Sequence, residues 1–221
     1  MQCSNSHILE IDSVNLSFKE KTVLSGVYLK VETGCVTALL GSNGSGKSCL
    51  MRILSGELNA DFKSIRIDGV WHEKLTREHI LYLPQYCSIP KNITVATAFD
   101  DFDIDYEGFC RFFPEFRSFR NYKIGDLSGW TQRMMETYLI LTSNAPFVML
   151  DEPFSQITLI DIDKIKQLIN REKEHKGILL TDHMYQNVLD VSDNMYVLSE
   201  RTVYQAKSKE DLIKYGYIRH L

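Results

Sequence analysis

Near the start of the chain, apolar and polar positions alternate. His7–Ile11 and Val23–Val31 follow the every-other-residue pattern of half-buried strands, and Lys19-Glu20-Lys21 between them predicts an antiparallel turn. Val36–Leu40 is a short apolar run that ends in a glycine-rich loop, with a helix predicted from Lys47 to about Ser55. Ile65–Ile67 and Ile80–Leu83 predict short strands, and Pro84, Pro90 and Pro114 punctuate the middle of the chain. From about Thr94 to Gly129 the character changes. Aromatic and acidic residues crowd together there, which predicts a separate small helical lobe. A regular alternation then follows: helix at Thr131–Leu141, strand at Phe147–Leu150, helix at Ile160–Glu174, strand at Ile178–Thr181, helix at Met184–Leu189, strand at Asn194–Leu198 and a short C-terminal helix. Strands alternating with helices imply a parallel sheet covered on both faces.

Composition narrows the class. With 221 residues, 44% hydrophobic and 24% charged, the chain fits one large globular domain or a domain with a small lobe. Its net charge of −4, without a long run of Lys or Arg, argues against nucleic acid as a main partner. Cys3, Cys35, Cys49, Cys87 and Cys110 are odd in number and widely spaced, which reads as reduced thiols and not as a disulfide framework or a zinc site. The stretch MQCSNSHILEID lacks the pattern of a signal peptide, and no apolar run reaches the roughly 20 residues of a membrane helix. Work at a membrane would therefore require another chain to span it.

Two motifs carry chemistry. Gly41-Ser42-Asn43-Gly44-Ser45-Gly46-Lys47-Ser48 matches the phosphate-loop pattern G-x-x-x-x-G-K-[ST] in full, between an apolar strand and a helix. The glycines let the backbone aim N–H groups at phosphates, and the helix N-terminus adds partial positive charge. Lys47 is expected on the β- and γ-phosphates of ATP and Ser48 on Mg²⁺. Phe147–Leu150 followed by Asp151 and Glu152 is the expected partner strand. Asp151 would hold the metal's shell and Glu152 would polarise the attacking water. The fold expected is α/β, a P-loop NTPase with a mixed or parallel central sheet, an N-terminal antiparallel β subdomain and a small helical lobe.

The order of the remaining motifs resembles that of the ATP-binding-cassette ATPases over nearly the whole chain. Leu83-Pro84-Gln85 resembles that family's Q-loop, and the resemblance implies that Gln85 contacts Mg²⁺ or the attacking water. Leu127-Ser128-Gly129 resembles the start of the LSGGQ signature, which makes Ser128 and Gly129 nucleotide-binding candidates. Asp151-Glu152-Pro153 matches the second acidic motif. Leu180-Thr181-Asp182-His183 resembles the switch motif, with His183 on the γ-phosphate. Phe18 stands where the family places an aromatic that stacks on adenine, although a core position in an amphipathic strand is also open to it. Cys49 replaces a threonine after Ser48 and counts as part of the nucleotide loop. The implied organisation is a single ATPase domain, with a catalytic core of residues 1–93 and 142–221 and a helical subdomain of residues 94–141 that carries the signature. The resemblance also implies a second ATPase subunit paired head to tail, a transmembrane permease as partner, and a cytoplasmic location at the inner face of the membrane.

Besides Cys49, two positions depart from the family pattern. Trp130 occupies the place of the signature's second glycine, where an indole must point away or crowd the nucleotide. Thr158 sits where the D-loop, here Ser155-Gln156-Ile157-Thr158, normally has aspartate. The lobe between Gln85 and Leu127 is also somewhat short. The half of the site this chain keeps is therefore expected to be intact, and the half it would donate to be altered, in either a homodimer or a heterodimer. A soluble non-transport cassette ATPase and a weakly hydrolysing ATP-binding regulator remain as alternative functions. The aromatics from Phe99 to Tyr122 are expected either to fill a small helical core or to leave an exposed patch for a protein partner.

Overall fold

The structure, a computed structural model, describes residues 6–155 and 157–218. Cys3, Gln156 of the D-loop, and the first five residues on which the leader reading partly rests lie outside the described residues. The N-terminal part is an antiparallel sheet. β1 (Ile8–Phe18) pairs with β2 (Lys21–Glu32) through the tight turn after Phe18, and β1 also pairs with β4 (Phe62–Ile67), which continues to β5 (Val70–Trp71). β3 (Val36–Leu40) and α1 (Lys47–Leu54) intervene between β2 and β4. β6 (Ile80–Leu83) leads into the helical lobe, built from α2 (Val95–Asp101), α3 (Tyr106–Phe112), 3-10 turns at Pro114–Phe119 and Ile124–Asp126, and α4 (Gly129–Thr142). The second half follows as β7 (Phe147–Asp151), α5 (Leu159–Glu172), β8 (Gly177–Thr181), α6 (Tyr185–Val191), β9 (Asn194–Ser199), β10 (Thr202–Ala206) and α7 (Lys209–Lys214).

The six-stranded sheet has the order β10-β9-β3-β8-β7-β6, and its pairings are parallel except for the β9–β10 hairpin at one edge. The expected mixed sheet is present. β10 is an addition to the sequence reading. Its residues Thr202–Ala206 are only half apolar, and Glu200 and Arg201 before them take the left-handed conformation of a tight turn.

The central strands are buried on both faces, so their side chains divide between two cores. Val36, Ala38, Leu40, Val148, Leu150, Ile178 and Leu180 pack with the helices. Leu39, Phe147, Met149 and Leu179 pack on the other side with α1 and the antiparallel sheet. This explains why β3, β7 and β8 read as continuous apolar runs and not as alternating ones.

The aromatic lobe resolves in favour of a core. Phe109 lies 5.0–5.3 Å, centroid to centroid, from Phe99, Phe113, Phe116 and Tyr138, and all five rings are buried. Phe102, Phe112 and Phe119 pack against them in part, and of the aromatics in this stretch Tyr122 is the large exposed one, at 50%. Stacked and edge-on rings let a small lobe bury more apolar area per residue than aliphatic side chains would.

Two outcomes test this packing. Phe109→Ala removes the ring at the centre of the cluster and should lower stability by about 3–5 kcal/mol in urea unfolding; a loss below about 1 kcal/mol would show the lobe is not packed around it. Lys176, 3% exposed, donates to the Ser143 carbonyl at 2.5 Å, and burial pulls its amine from 10.5 down to about 8. Its folded pKa lies below its unfolded one, so the unfolded chain binds more protons between these values and this group adds stability as pH rises from 8 to 10.5. Relative to Lys176→Met, the wild-type chain should therefore gain on the order of 1–3 kcal/mol across that window, and an unchanged difference would contradict it.

Candidate functional site

Strands β3, β6, β7 and β8 run parallel, so their C-terminal ends share one edge of the sheet, and each carries a candidate motif on the loop that leaves it. β3 enters the phosphate loop, β6 ends before Gln85, β7 ends at Asp151, and β8 ends two residues before His183. The register sets Asp151 beside Thr181 and Leu83 beside Leu150. Four stretches far apart in sequence therefore meet around one cavity of about 470 Å³, lined by Val23, Asn43, Gly44, Gly46, Lys47, Ser48, Cys49, Gln85, Asp151, Glu152 and His183.

The loop is built for close approach. Gly41 (φ 154°) and Gly46 (φ 113°) adopt backbone that favours glycine, and a Cβ on Gly41 would fall 2.6 Å from the Leu198 carbonyl oxygen. A Cβ on Gly46 would meet Leu24 and Val23 at 3.0 and 3.1 Å. Gly46 is the N-cap of α1 and supplies no side chain to it, so the helix presents its N–H groups without a side-chain cap. Lys47 Nζ donates to the carbonyls of Gly41 at 2.7 Å and Ser42 at 3.1 Å, folding back over the loop. Burial lowers its pKa, against the pull of Asp151 and Glu152. Ser45 Oγ is buried with no partner among the described residues.

The acidic side is tightly wired. Asp151 is 2% exposed; burial raises its pKa, and hydrogen bonds from Ser48 and Tyr82 act against that rise. The Tyr82 hydroxyl donates to Asp151 Oδ2 at 3.0 Å. Glu152 holds φ at 56°, left-handed for a residue with a side chain, and its N–H donates to the Thr181 carbonyl at 2.8 Å. Glu152 Oε1 accepts from Gln85 Nε2 and lies 2.5 Å from His183 Nε2, while Ser155 Oγ donates to Oε2 at 3.2 Å. Gln85, Glu152 and His183 thus form one contact cluster on the cavity wall. Asp182 is also buried, which raises its pKa, and it accepts from the N–H groups of Met184 and Phe154, both at 2.9 Å. It ties the loop after β8 to the loop after β7.

Other candidate residues lie outside this cavity. Phe18, 49% exposed, ends β1 at the hairpin turn and does not line the cavity; Val23 of β2 does. Ser128 caps α4, accepting from the Thr131 N–H at 3.1 Å, and Gly129 begins that helix. Gly129 faces a second cleft, with Gln85, Arg133 and Glu136. Trp130 points away from this cleft's rim: its ring stacks on Phe116 (5.1 Å, 29°) and its Nε1 donates to Asp161 Oδ2 at 2.9 Å. The indole turns into the seam between the lobe and α5.

Sequence reading missed Arg133. It is 7% exposed in α4 and donates to the carbonyls of Pro84, of Asp151 at 2.5 Å and of Glu152 at 2.8 Å, joining the helix to the loops after β6 and β7. Burial lowers its pKa, while Glu136, Asp151, Asp182 and Glu152 favour its charge. Glu136 in turn accepts from the Ser88 N–H at 2.8 Å and its hydroxyl at 2.5 Å. The available signal was an Arg and a Glu one turn apart on a helix whose other residues from Met134 to Leu141 are mostly apolar. Tyr82 and Val23 gave no signal, because a strand aromatic or valine reads as ordinary core. The described cysteines Cys35, Cys49, Cys87 and Cys110 are free.

The residues present fit a triphosphate and its metal. Glycine-only backbone, an uncapped helix start, a folded-back lysine and a buried hydroxyl without partner form one wall, and two carboxylates face it. Among the described residues no cluster of three or more His, Cys, Asp or Glu side chains could hold a metal. No described helix is long and apolar enough to cross a membrane.

Comparison with known proteins agrees with this geometry. The ABC transporter family model matches residues 24–155. The chain is 30% identical to a probable branched-chain amino acid transport ATP-binding protein, LivF, of Archaeoglobus fulgidus, over 92% of this chain and 93% of that one. It is also 30% identical to the lipopolysaccharide export system ATP-binding protein LptB of Haemophilus influenzae, over 93% and 92%. Among solved structures, the ATP binding subunit of an ABC transporter superposes with a TM-score of 0.79 at 21% identity, covering 95% of this chain and 94% of that one. A bacterial Atm1-family ABC exporter with ATP bound superposes with a TM-score of 0.83 at 19% identity, covering 97% of this chain and 41% of that one. Those two likenesses bear on the fold, and it is the family match over residues 24–155, together with the full-length relatives, that places this chain in the ABC transporter family as an ATP-binding, ATP-hydrolysing subunit.

Proposed function

We propose that this chain binds Mg²⁺-ATP in the cavity at the sheet edge, pairs with a second cassette subunit and drives a separate membrane permease from the cytoplasmic side. It would act as one ATPase domain, with a core of residues 1–93 and 142–221 and a helical subdomain of residues 94–141. The observation that carries the reading is the convergence of Lys47, Ser48, Gln85, Asp151, Glu152 and His183 on a single cavity.

In this reading the loop from Gly41 to Ser48, with Cys49, wraps the phosphates, and Lys47 exchanges its two carbonyl partners for the β- and γ-phosphate oxygens. Ser48, Asp151 and Gln85 would hold Mg²⁺, which when bound neutralises phosphate charge. Glu152 takes the proton of the attacking water, and its contacts to Gln85 and His183 hold the carboxylate in place for that task. His183 donates to the γ-phosphate. Phe18 sits at the turn of the β1–β2 hairpin, whose second strand lends Val23 to the cavity, and from there would stack on adenine. Ser128 and Gly129 stand apart from the phosphate loop, which supports their use in trans, on a nucleotide held by the second subunit. The permease would meet the cleft beside Gln85 and the helical lobe.

A regulator that binds ATP without turnover is the weaker reading, because the Gln85–Glu152–His183 cluster is complete. Glu152→Gln keeps a hydrogen-bonding side chain and removes the base. Hydrolysis should fall by about 10²–10⁴-fold while ATP affinity stays within a few-fold, read from phosphate release and nucleotide titration. Equal turnover would contradict the role of Glu152. ATPase activity of the purified chain alone separates the two dimer forms: robust, concentration-dependent turnover means the chain pairs with itself, and turnover that needs another cassette subunit means a heterodimer.

A further inference from the structure

Trp130 and Thr158 both depart from the family pattern, and the structure joins them at one atom. Trp130 Nε1 donates to Asp161 Oδ2 at 2.9 Å, and Thr158 Oγ1 donates to the same oxygen at 2.6 Å. Asp161 is 4% exposed, and its N–H donates back to Thr158 Oγ1, the N-cap of α5, at 3.3 Å. The nearest cation is Lys164, with Nζ 4.0 Å from the other oxygen, Oδ1.

A buried carboxylate requires donors, and here the two departures supply two of them to a single oxygen. An aspartate at 158 would still cap α5 but would set a second carboxylate against Asp161 and donate nothing. A glycine at 130 would remove the other donor and also the ring that stacks on Phe116. Chemically, the substitutions are therefore one change, with Asp161 as its hinge. Trp130 is the second residue of α4, next to Gly129 and two from the cap Ser128, while Thr158 ends the D-loop.

We propose that Trp130, Asp161 and Thr158 form a hydrogen-bonded strut that fixes the start of α4 to the start of α5, which makes Trp130 a positioning residue for the half-site this chain presents to a second subunit. The role rests on the paired-subunit reading above. None of the three lines the chain's own phosphate cavity, so the strut acts on turnover and not on the affinity of that cavity.

ATPase kinetics and ATP titration of the assembled transporter carrying Trp130→Phe, Thr158→Val or both test this. Phenylalanine keeps a ring on Phe116 and loses the donor; valine keeps the shape and loses the hydroxyl. Each single variant should lower kcat about 3–10-fold, as expected for one hydrogen bond, with KM and ATP affinity within about twofold. The double variant should be no slower than the worse single one, because both bonds serve one unit. Thermal melts confirm folding, and Thr158→Val carries the test if Trp130→Phe does not fold. Wild-type kcat in the single variants, or losses that multiply in the double, overturns the strut while leaving the functional reading standing. A wild-type transporter that neither binds nor hydrolyses ATP overturns the functional reading and the positioning role with it.

Discussion

The site depends on the parallel register of β3, β8, β7 and β6. Parallel strands bring all their C-terminal ends to one edge, and the pairing of Asp151 with Thr181 sets how far each loop projects there. A shift of one residue in β7 would carry Val148 and Leu150 from the helix side to the α1 side and turn Asp151 off the cavity. The two cores on either side of the sheet enforce that register, since each strand has apolar side chains committed to both. The chemistry at the edge is thus held by packing well away from it.

Polar bonds do the finer work. Asp151, Asp182 and Arg133 are all buried, each with its charged form disfavoured by loss of water. They tolerate this because each is supplied with partners: Tyr82 for Asp151, two backbone N–H groups for Asp182, three carbonyls for Arg133. Arg133 matters most for coupling. From α4 it grips the loops after β6 and β7, so the helix that begins with Ser128 and Gly129 is bonded directly to the residues flanking Gln85 and Glu152. Movement of the helical lobe and the geometry around Glu152 cannot be independent. The strut through Asp161 adds a second tie, from the first turn of the same helix to α5.

What could be read in the sequence follows from how local each signal is. The phosphate loop was legible because glycine spacing, lysine and serine sit within eight residues and the flanking strand and helix confirm them. Asp151, Glu152, Gln85 and His183 were legible through their order along the chain, and the parallel sheet supplied the reason they meet. Arg133 and Asp161 were missed because their partners lie 49 and 31 residues away; the Arg133–Glu136 pair on an apolar helix hints at a buried charge but does not name what it bonds. The direction taken by Trp130 was hidden for the same reason. β10 escaped notice because a hairpin edge strand with polar residues lacks the apolar run that marked β3, β7 and β8. The aromatic stretch was ambiguous in sequence because a run of rings fits either a core or a patch, and only the mutual contacts around Phe109 decide it.

The account stands on the claim that the loop from Gly41 to Ser48 holds the phosphates of ATP. Calorimetric titration of Mg²⁺-ATP into the wild-type chain and into Lys47→Ala tests it most directly. The account predicts one-to-one binding by the wild type and an affinity weaker by at least about tenfold in Lys47→Ala, the loss of a charge-assisted contact. Equal affinity in the two proteins would contradict it.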